Sequence, residues 1–264
     1  MKRYKGVVFF DYDGTLIDEV DGIFHLPASA KEALKCLHRN GYAACVCTGR
    51  SKQFSEDVKD YFDGYVTAMG AYVEMDGEIV QSTVILDEEI ERMRAICRER
   101  DIVFLMDGEK QSYCDGMDTD QYQFFRRVFD VRDPWVLPWD TKERCRINKL
   151  TYMYHDISDY EFLWGHFSEQ LELAKHIRYS IADATPKGVN KGTGIKKILE
   201  YLNLPVEASY GFGDGDNDLS LIQTVGTGVI MGRHYKGLEP YAAFTTGLVK
   251  EDGIYHGLKR LGLI

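Results

Sequence analysis

Two carboxylates one residue apart, Asp11 and Asp13, a hydroxyl at Thr48, a cation at Lys191 and the acid-rich run Asp214-Gly215-Asp216-Asn217-Asp218 are the residues best suited to chemistry. Asp11 and Asp13 follow the apolar run Val7-Val8-Phe9-Phe10 and precede Gly14. In an extended chain residues i and i+2 point the same way, so both acids are expected to face one site, with Tyr12 turned away. Carboxylates this close repel unless a cation lies between them. Mg²⁺, a hard ion that prefers oxygen ligands, is the simplest candidate. Neither acidic stretch reads as a calcium loop. The twelfth residues, Gly22 and Val225, are not glutamate, and Leu219 stands where the second loop needs glycine. The run Gly211-x-Gly213-x-Gly215 lacks the last glycine of a dinucleotide fingerprint and is acidic where a pyrophosphate would lie.

These residues need elements to position them. Residues 7–10 read as a buried strand and 29–40 as a helix, with Ala30, Ala33, Leu34 and Leu37 at helical spacing and Asn40-Gly41 as the stop. Residues 42–47 form a second buried strand ending at Thr48-Gly49-Arg50, and 51–62 a second helix. Strand, helix, strand, helix is the pattern of a doubly wound parallel sheet, whose ligands bind beyond the carboxyl ends of the strands. The pattern resumes with a helix carrying Ile195, Ile198, Leu199 and Leu202, and a strand over 208–213 that runs into Asp214. Lys191 falls at the start of that helix, where the dipole opposes a cation by roughly 0.3–1 kcal/mol. Either it extends into water or it reaches a negative centre. The fold class is therefore α/β, a doubly wound core interrupted over 83–185.

That interruption holds all three tryptophans, Trp135, Trp139 and Trp164. Strand-like spacing over 144–154 and helical spacing over 90–100 and 160–171 mark it as an inserted α+β module, leaving 1–82 and 186–264 as the core. A formal net charge of −10 argues against nucleic-acid or anionic-membrane partners. No apolar run is long enough for a signal peptide or a membrane span, so a cytoplasmic protein is expected. Six cysteines are scattered without Cys-x-x-Cys spacing, the histidines show no ligand spacing, and reduced thiols without zinc are expected.

The set resembles the four motifs of the haloacid dehalogenase (HAD) superfamily. Asp11-Tyr12-Asp13-Gly14-Thr15-Leu16 matches the first, Thr48 the second, Val189-Asn190-Lys191-Gly192 the third, and Gly213-Asp214-Gly215-Asp216-Asn217-Asp218 the fourth in the form of the Cof-type subgroup. The insertion lies where that subgroup carries its C2 cap. The tail, Gly228-Val229-Ile230-Met231-Gly232 and Glu251-Asp252-Gly253-Ile254, is similar too, although Arg233-His234 stands where the family more often has Asn-Ala. The resemblance implies a Mg²⁺-dependent phosphatase of a small phosphorylated metabolite, such as a sugar phosphate. Asp11 would be the nucleophile and Asp13 the acid/base. Mg²⁺ would be held by the Asp11 carboxylate, the Asp13 carbonyl and Asp214. Thr48, the Gly49 amide, Asn217 and Lys191 would bind the phosphoryl oxygens, and Asp218 would support them from behind. A phosphohexomutase of the same superfamily and a phospho-accepting receiver are the alternatives. For substrate selection, Lys149, Arg144 and Arg146 are the expected cap residues.

Overall fold

The computed structural model describes residues 3–141, 146–176 and 179–264. Strand β1 (Gly6–Phe10) is buried at every position. Val8 and Phe10 pack in one core with Leu34 and Leu37 of helix α1 (Ala28–Arg39); Val7 and Phe9 pack in another. A strand covered on both faces has no polar side, hence the unbroken apolar run. Strand β2 (Tyr42–Cys47) pairs parallel to β1, with Ala43, Cys45 and Cys47 on the second face. Burial of Cys45 and Cys47 makes them small core residues. The five described cysteines are free, and Cys145 lies outside the described residues.

Residues 51–62 depart from the expected helix. Lys52–Tyr61 is a run of 3-10 turns broken at Ser55, whose φ of −115° is not helical. Ser51–Phe54 belongs instead to the second compact unit, where the Ser51 hydroxyl donates to Asp107 Oδ1 at 2.7 Å. Strand β3 (Gly64–Thr67) then pairs parallel to β2, whereas β4 (Tyr72–Met75) returns antiparallel beside it, followed by β5 (Glu78–Ser82). The sheet is thus parallel at its centre and antiparallel at one edge.

Ser51–Phe54 and Ser82–Val189 cluster as one compact unit; Met1–Arg50, Ser55–Gln81 and Asn190–Ile264 form the other. The inserted unit opens with α2 (Asp87–Arg98), followed by β6 (Val103–Gly108), β7 (Ser112–Asp115), α3 (Asp120–Val128), β8 (Val136–Pro138), β9 (Ile147–Met153), α4 (Ile157–Phe167), β10 (Leu171–Lys175) and β11 (Ile181–Pro186). Its strands form a six-stranded sheet in the order β10-β11-β9-β6-β7-β8. Helix α4 starts three residues earlier than expected because Asp156 caps it, accepting from the Ser158 amide at 2.8 Å. Helices α2 and α4 cover one face through Ile90, Met93, Leu163 and Phe167, against Leu150 and Tyr152. On the other face Lys149 is buried, its Nζ 2.8 Å from Asp183 Oδ1 and 3.3 Å from Asp107 Oδ2, with the Thr151 hydroxyl at 3.0 Å.

Burial opposes the Lys149 charge, but Asp183 and Asp107 hold it protonated. Lys149→Met would take the shared ammonium from the buried Asp107 and the half-buried Asp183, leaving His176, at 3.3 Å, as the ion-pair partner of Asp183. A loss of about 3–5 kcal/mol is expected, the usual cost of breaking a buried pair from one side. The three tryptophans all lie in this unit, so urea unfolding followed by their fluorescence reads the loss directly. An unchanged midpoint would mean that the ammonium contributes nothing to this unit.

After the insertion the chain rejoins the first sheet through α5 (Lys191–Leu202), β12 (Ser209–Gly213), α6 (Leu219–Thr224), β13 (Thr227–Ile230), β14 (Phe244–Thr245) and α7 (Gly253–Arg260). The eight strands run β14-β13-β12-β1-β2-β3-β4-β5. Helices α1 and α7 cover one face; α5 and α6 cover the other through Ile195, Ile198, Leu221 and Ile222. The protein is an α/β molecule with a doubly wound core and an inserted α+β unit. Among the described residues no helix is long and apolar enough to cross a membrane.

Candidate active site

Strands β12, β1 and β2 lie side by side, and their carboxyl ends bring together segments distant in sequence. Asp11 follows β1, Thr48 follows β2 and Asp214 follows β12; Lys191 opens α5. Lys191 is wholly buried, and its Nζ donates to Asp11 Oδ1 and Asp218 Oδ1, both at 2.6 Å. Of the two readings of this lysine, water or a charged centre, the geometry gives the second. Burial works against its charge, yet Asp11 and Asp218 hold it protonated. The pairing also offsets the unfavourable dipole at the helix start.

Asp218 is a brace as much as a charge. Its Oδ2 accepts the backbone amides of Asp214 and Gly215, both at 2.9 Å, and so shapes the acidic loop. Asp214 also accepts from the Thr15 hydroxyl at 3.0 Å, which ties this loop to the one after β1. Gly14, at φ +82°, sits so close to the Asp214 carboxylate that any Cβ would collide with it. One carboxylate oxygen from each of Asp11, Asp214 and Asp218 lies within 4.8 Å of the other two. Burial first, then Asp218, pushes the Asp11 carboxyl up against the pull of Lys191; burial, Asp11 and Asp218 push Asp214 up.

The Thr48 hydroxyl is buried and accepts the Arg50 amide at 3.1 Å. That bond occupies an acceptor position and directs the hydroxyl hydrogen elsewhere. Gly49 is half-buried, whereas Asn217 and Asp216 are exposed. Strand β1 ends at Phe10, yet Tyr12 still packs in the core beside Val8 and Phe10, turned away as expected. The Asp13 carboxylate is gripped from both oxygens by Arg50, Nε to Oδ2 at 2.9 Å and Nη2 to Oδ1 at 2.5 Å. It still lies near enough to Asp11 to help push that carboxyl up.

The model of the haloacid dehalogenase-like hydrolases matches residues 8–258 of this chain. The chain belongs to that family. This HAD hydrolase is 28% identical over 263 residues to "Putative phosphatase YkrA" of Bacillus subtilis (strain 168), 98% of each chain being covered. Among solved structures, a protein of Geobacillus kaustophilus HTA426 described as hypothetical superposes with a TM-score of 0.87 at 26% identity, covering 98% of this chain and 99% of that one. The HAD subclass IIB sugar phosphatase BT4131 superposes at 0.82 with 26% identity, covering 98% and 100%. The protein is thus a Cof-type phosphomonoester hydrolase of the HAD superfamily.

In this HAD phosphatase Asp11, Lys191, Asp214 and Asp218 meet in one cluster. Of the residues expected to select substrate, Lys149 has its charge matched by Asp107 and Asp183, Arg146 is exposed and 3.1 Å from Glu109, and Arg144 lies outside the described residues. Sequence reasoning missed Arg50, Thr15, Asp18 and Arg233. Arg233, a departure from the family pattern, donates to the Asp18 carboxylate at 2.8 and 3.0 Å and to Asp21 at 3.0 Å. It thereby pins the turn Glu19–Asp21, which Asp18 caps. Its charge, and that of Arg50 directly after Thr48-Gly49, were the available signals.

Proposed function

We propose that this phosphatase hydrolyses a small phosphorylated metabolite, a sugar phosphate being the leading class, through a phosphoryl group carried on Asp11 with Mg²⁺ as cofactor. The observation that carries the reading is the charge balance around Lys191. Three carboxylates face one ammonium, and burial, then repulsion between the acids, pushes two of those carboxyls up. One divalent cation balances that surplus, and the donors are all hard oxygens. Asp11 and Asp214 would hold it together with the Asp13 carbonyl. When bound, it neutralises charge on the phosphoryl oxygens.

The residues then divide the work. Asp11, whose ionised form Lys191 favours, attacks phosphorus while the ester P–O bond breaks. Asp13 gives its proton to the departing oxygen and afterwards takes one from the water that attacks the aspartyl-phosphate. Thr48, the Gly49 amide, Asn217 and Lys191 bind the phosphoryl oxygens, and Lys191 lessens the repulsion between a carboxylate and a phosphate dianion. Asp218 keeps Lys191 and the Asp214 loop in place. Residues 83–185 serve as the C2-type cap that selects the ester, with Arg146 as a candidate contact. The subclass IIB sugar phosphatase at 26% identity supports the substrate class.

The test is inorganic phosphate release from a panel of phosphorylated metabolites, with Mg²⁺ and with EDTA. Release with Mg²⁺ and none with EDTA is expected; an isomerised ester without free phosphate would replace hydrolysis by a mutase reaction. Within the same assay Asp214→Ala should raise the Mg²⁺ requirement far more than Asp216→Ala, because Asp214 lies in the cluster and Asp216 is exposed. Equal Mg²⁺ titrations for the two variants would mean the loop is misassigned.

A further inference from the structure

The mechanism leaves the half-buried Arg50 unused. The Arg50 guanidinium has a side-chain exposure of only 15% and grips Asp13 as a fork. The same Nη2 donates to Glu19 Oε1 at 2.8 Å. On a third side the guanidinium carbon lies 5.1 Å from the centre of the Tyr12 ring. That ring is buried in the core, and its hydroxyl donates to Asp57 at 2.8 Å. Glu19 belongs to the turn that Arg233 and Lys250 anchor through Asp18 and Asp21. Asp13 itself is 45% exposed, in a turn whose backbone is held by the bridge to Ile17, while its carboxylate is met by the Arg50 fork. Arg50, by contrast, is fixed by two acids and an aromatic face.

We propose that Arg50 is a positioning residue for Asp13: the fork orients the carboxylate, and Glu19 with Tyr12 orients the fork. A guanidinium presents two parallel donors to a carboxylate, which fixes direction as well as charge. Glu19 gives Arg50 a second partner, so the guanidinium stays compensated whenever Asp13 turns to the ester oxygen. Arg50 touches no reacting atom in this scheme and acts only through Asp13. The inference rests on Asp13 being the proton donor, and its test separates the two.

The experiment measures kcat/KM for phosphoryl transfer to Asp11 with two classes of ester. An alkyl phosphate needs its leaving oxygen protonated; p-nitrophenyl phosphate does not. Asp13→Asn is the control and should lose on the order of 100-fold or more on the alkyl ester, the range expected of a general acid, with a much smaller loss on p-nitrophenyl phosphate. Arg50→Ala should show the same selectivity at roughly 10- to 100-fold, and Arg50→Lys, which restores charge without the fork, should recover only part of it. Equal losses on both esters for Arg50→Ala, or none, would overturn the positioning role while the control stands. A control without selectivity would remove the proton-donor assignment itself. Should Arg50→Ala fail to fold by circular dichroism, Glu19→Gln carries the test: a loss confined to the alkyl ester supports the proposal, and an equal effect on both esters overturns it.

Discussion

Asp11→Asn is expected to abolish steady-state phosphate release, with turnover lower by several orders of magnitude. The substitution keeps the shape of the side chain and its place beside Lys191, 2.6 Å away, but removes the negative charge that attacks phosphorus. It also removes a carboxylate from the acidic cluster, so any residual activity should need more Mg²⁺ for half-saturation. Rapid quench with a radiolabelled ester, followed by denaturation and counting of protein-bound label, gives the covalent readout. Wild-type protein should carry acid-stable label and Asp11→Asn none. Substantial turnover in Asp11→Asn would end the covalent mechanism, whereas loss of turnover with label retained would move the nucleophile to another residue.

The second large effect is expected at Lys191. Lys191→Met keeps the volume of the aliphatic stem and leaves Asp11 and Asp218 buried against each other. Two losses should follow. Stability should fall by about 3–5 kcal/mol, since the partners of a broken buried pair remain uncompensated. Turnover should fall on the order of 10²- to 10³-fold, as when a preorganised donor to developing charge is removed. The two are separable: saturating Mg²⁺ should restore part of the stability by binding the folded acids, but not the phosphoryl contact. Activity that recovers in step with stability would show Lys191 to be structural only. Arginine should not rescue, because a planar fork does not fit where the ammonium meets two oxygens at 2.6 Å.

Those two residues were legible in the sequence for a physical reason. Asp11 and Asp214 each end a strand-like run too short for a helix, and in a doubly wound sheet such ends converge. Lys191 was legible as an oddity, a cation at the wrong end of a helix, but whether it met water or acid depended on β12 lying next to β1. The two-residue period carried past the end of β1, since Tyr12 packs with Val8 and Phe10, but the partner of Asp13 was not legible. The grip of Arg50 depends on loops after two different strands meeting in space. The antiparallel return at β4 was likewise unread, since pairing direction there leaves no mark on composition. The 3-10 run at Lys52–Tyr61 kept an amphipathic pattern that reads as a helix; the bond from Ser51 to Asp107, 56 positions away, is a tertiary term no local window contains.

The neighbour relation between β1 and β12 has a consequence for biogenesis. Val7 pairs with Ser209, so the strand that completes one side of β1 is made about 200 residues after it. At roughly 5–20 residues per second of synthesis, that flank of β1 waits on the order of 10–40 s with its amide and carbonyl groups unpaired. An apolar strand left open in this way is a template for pairing with a second nascent chain. Polysomes carrying several copies should therefore be the stage at which this protein aggregates, and a ribosome-associated holdase the factor whose loss lowers its yield.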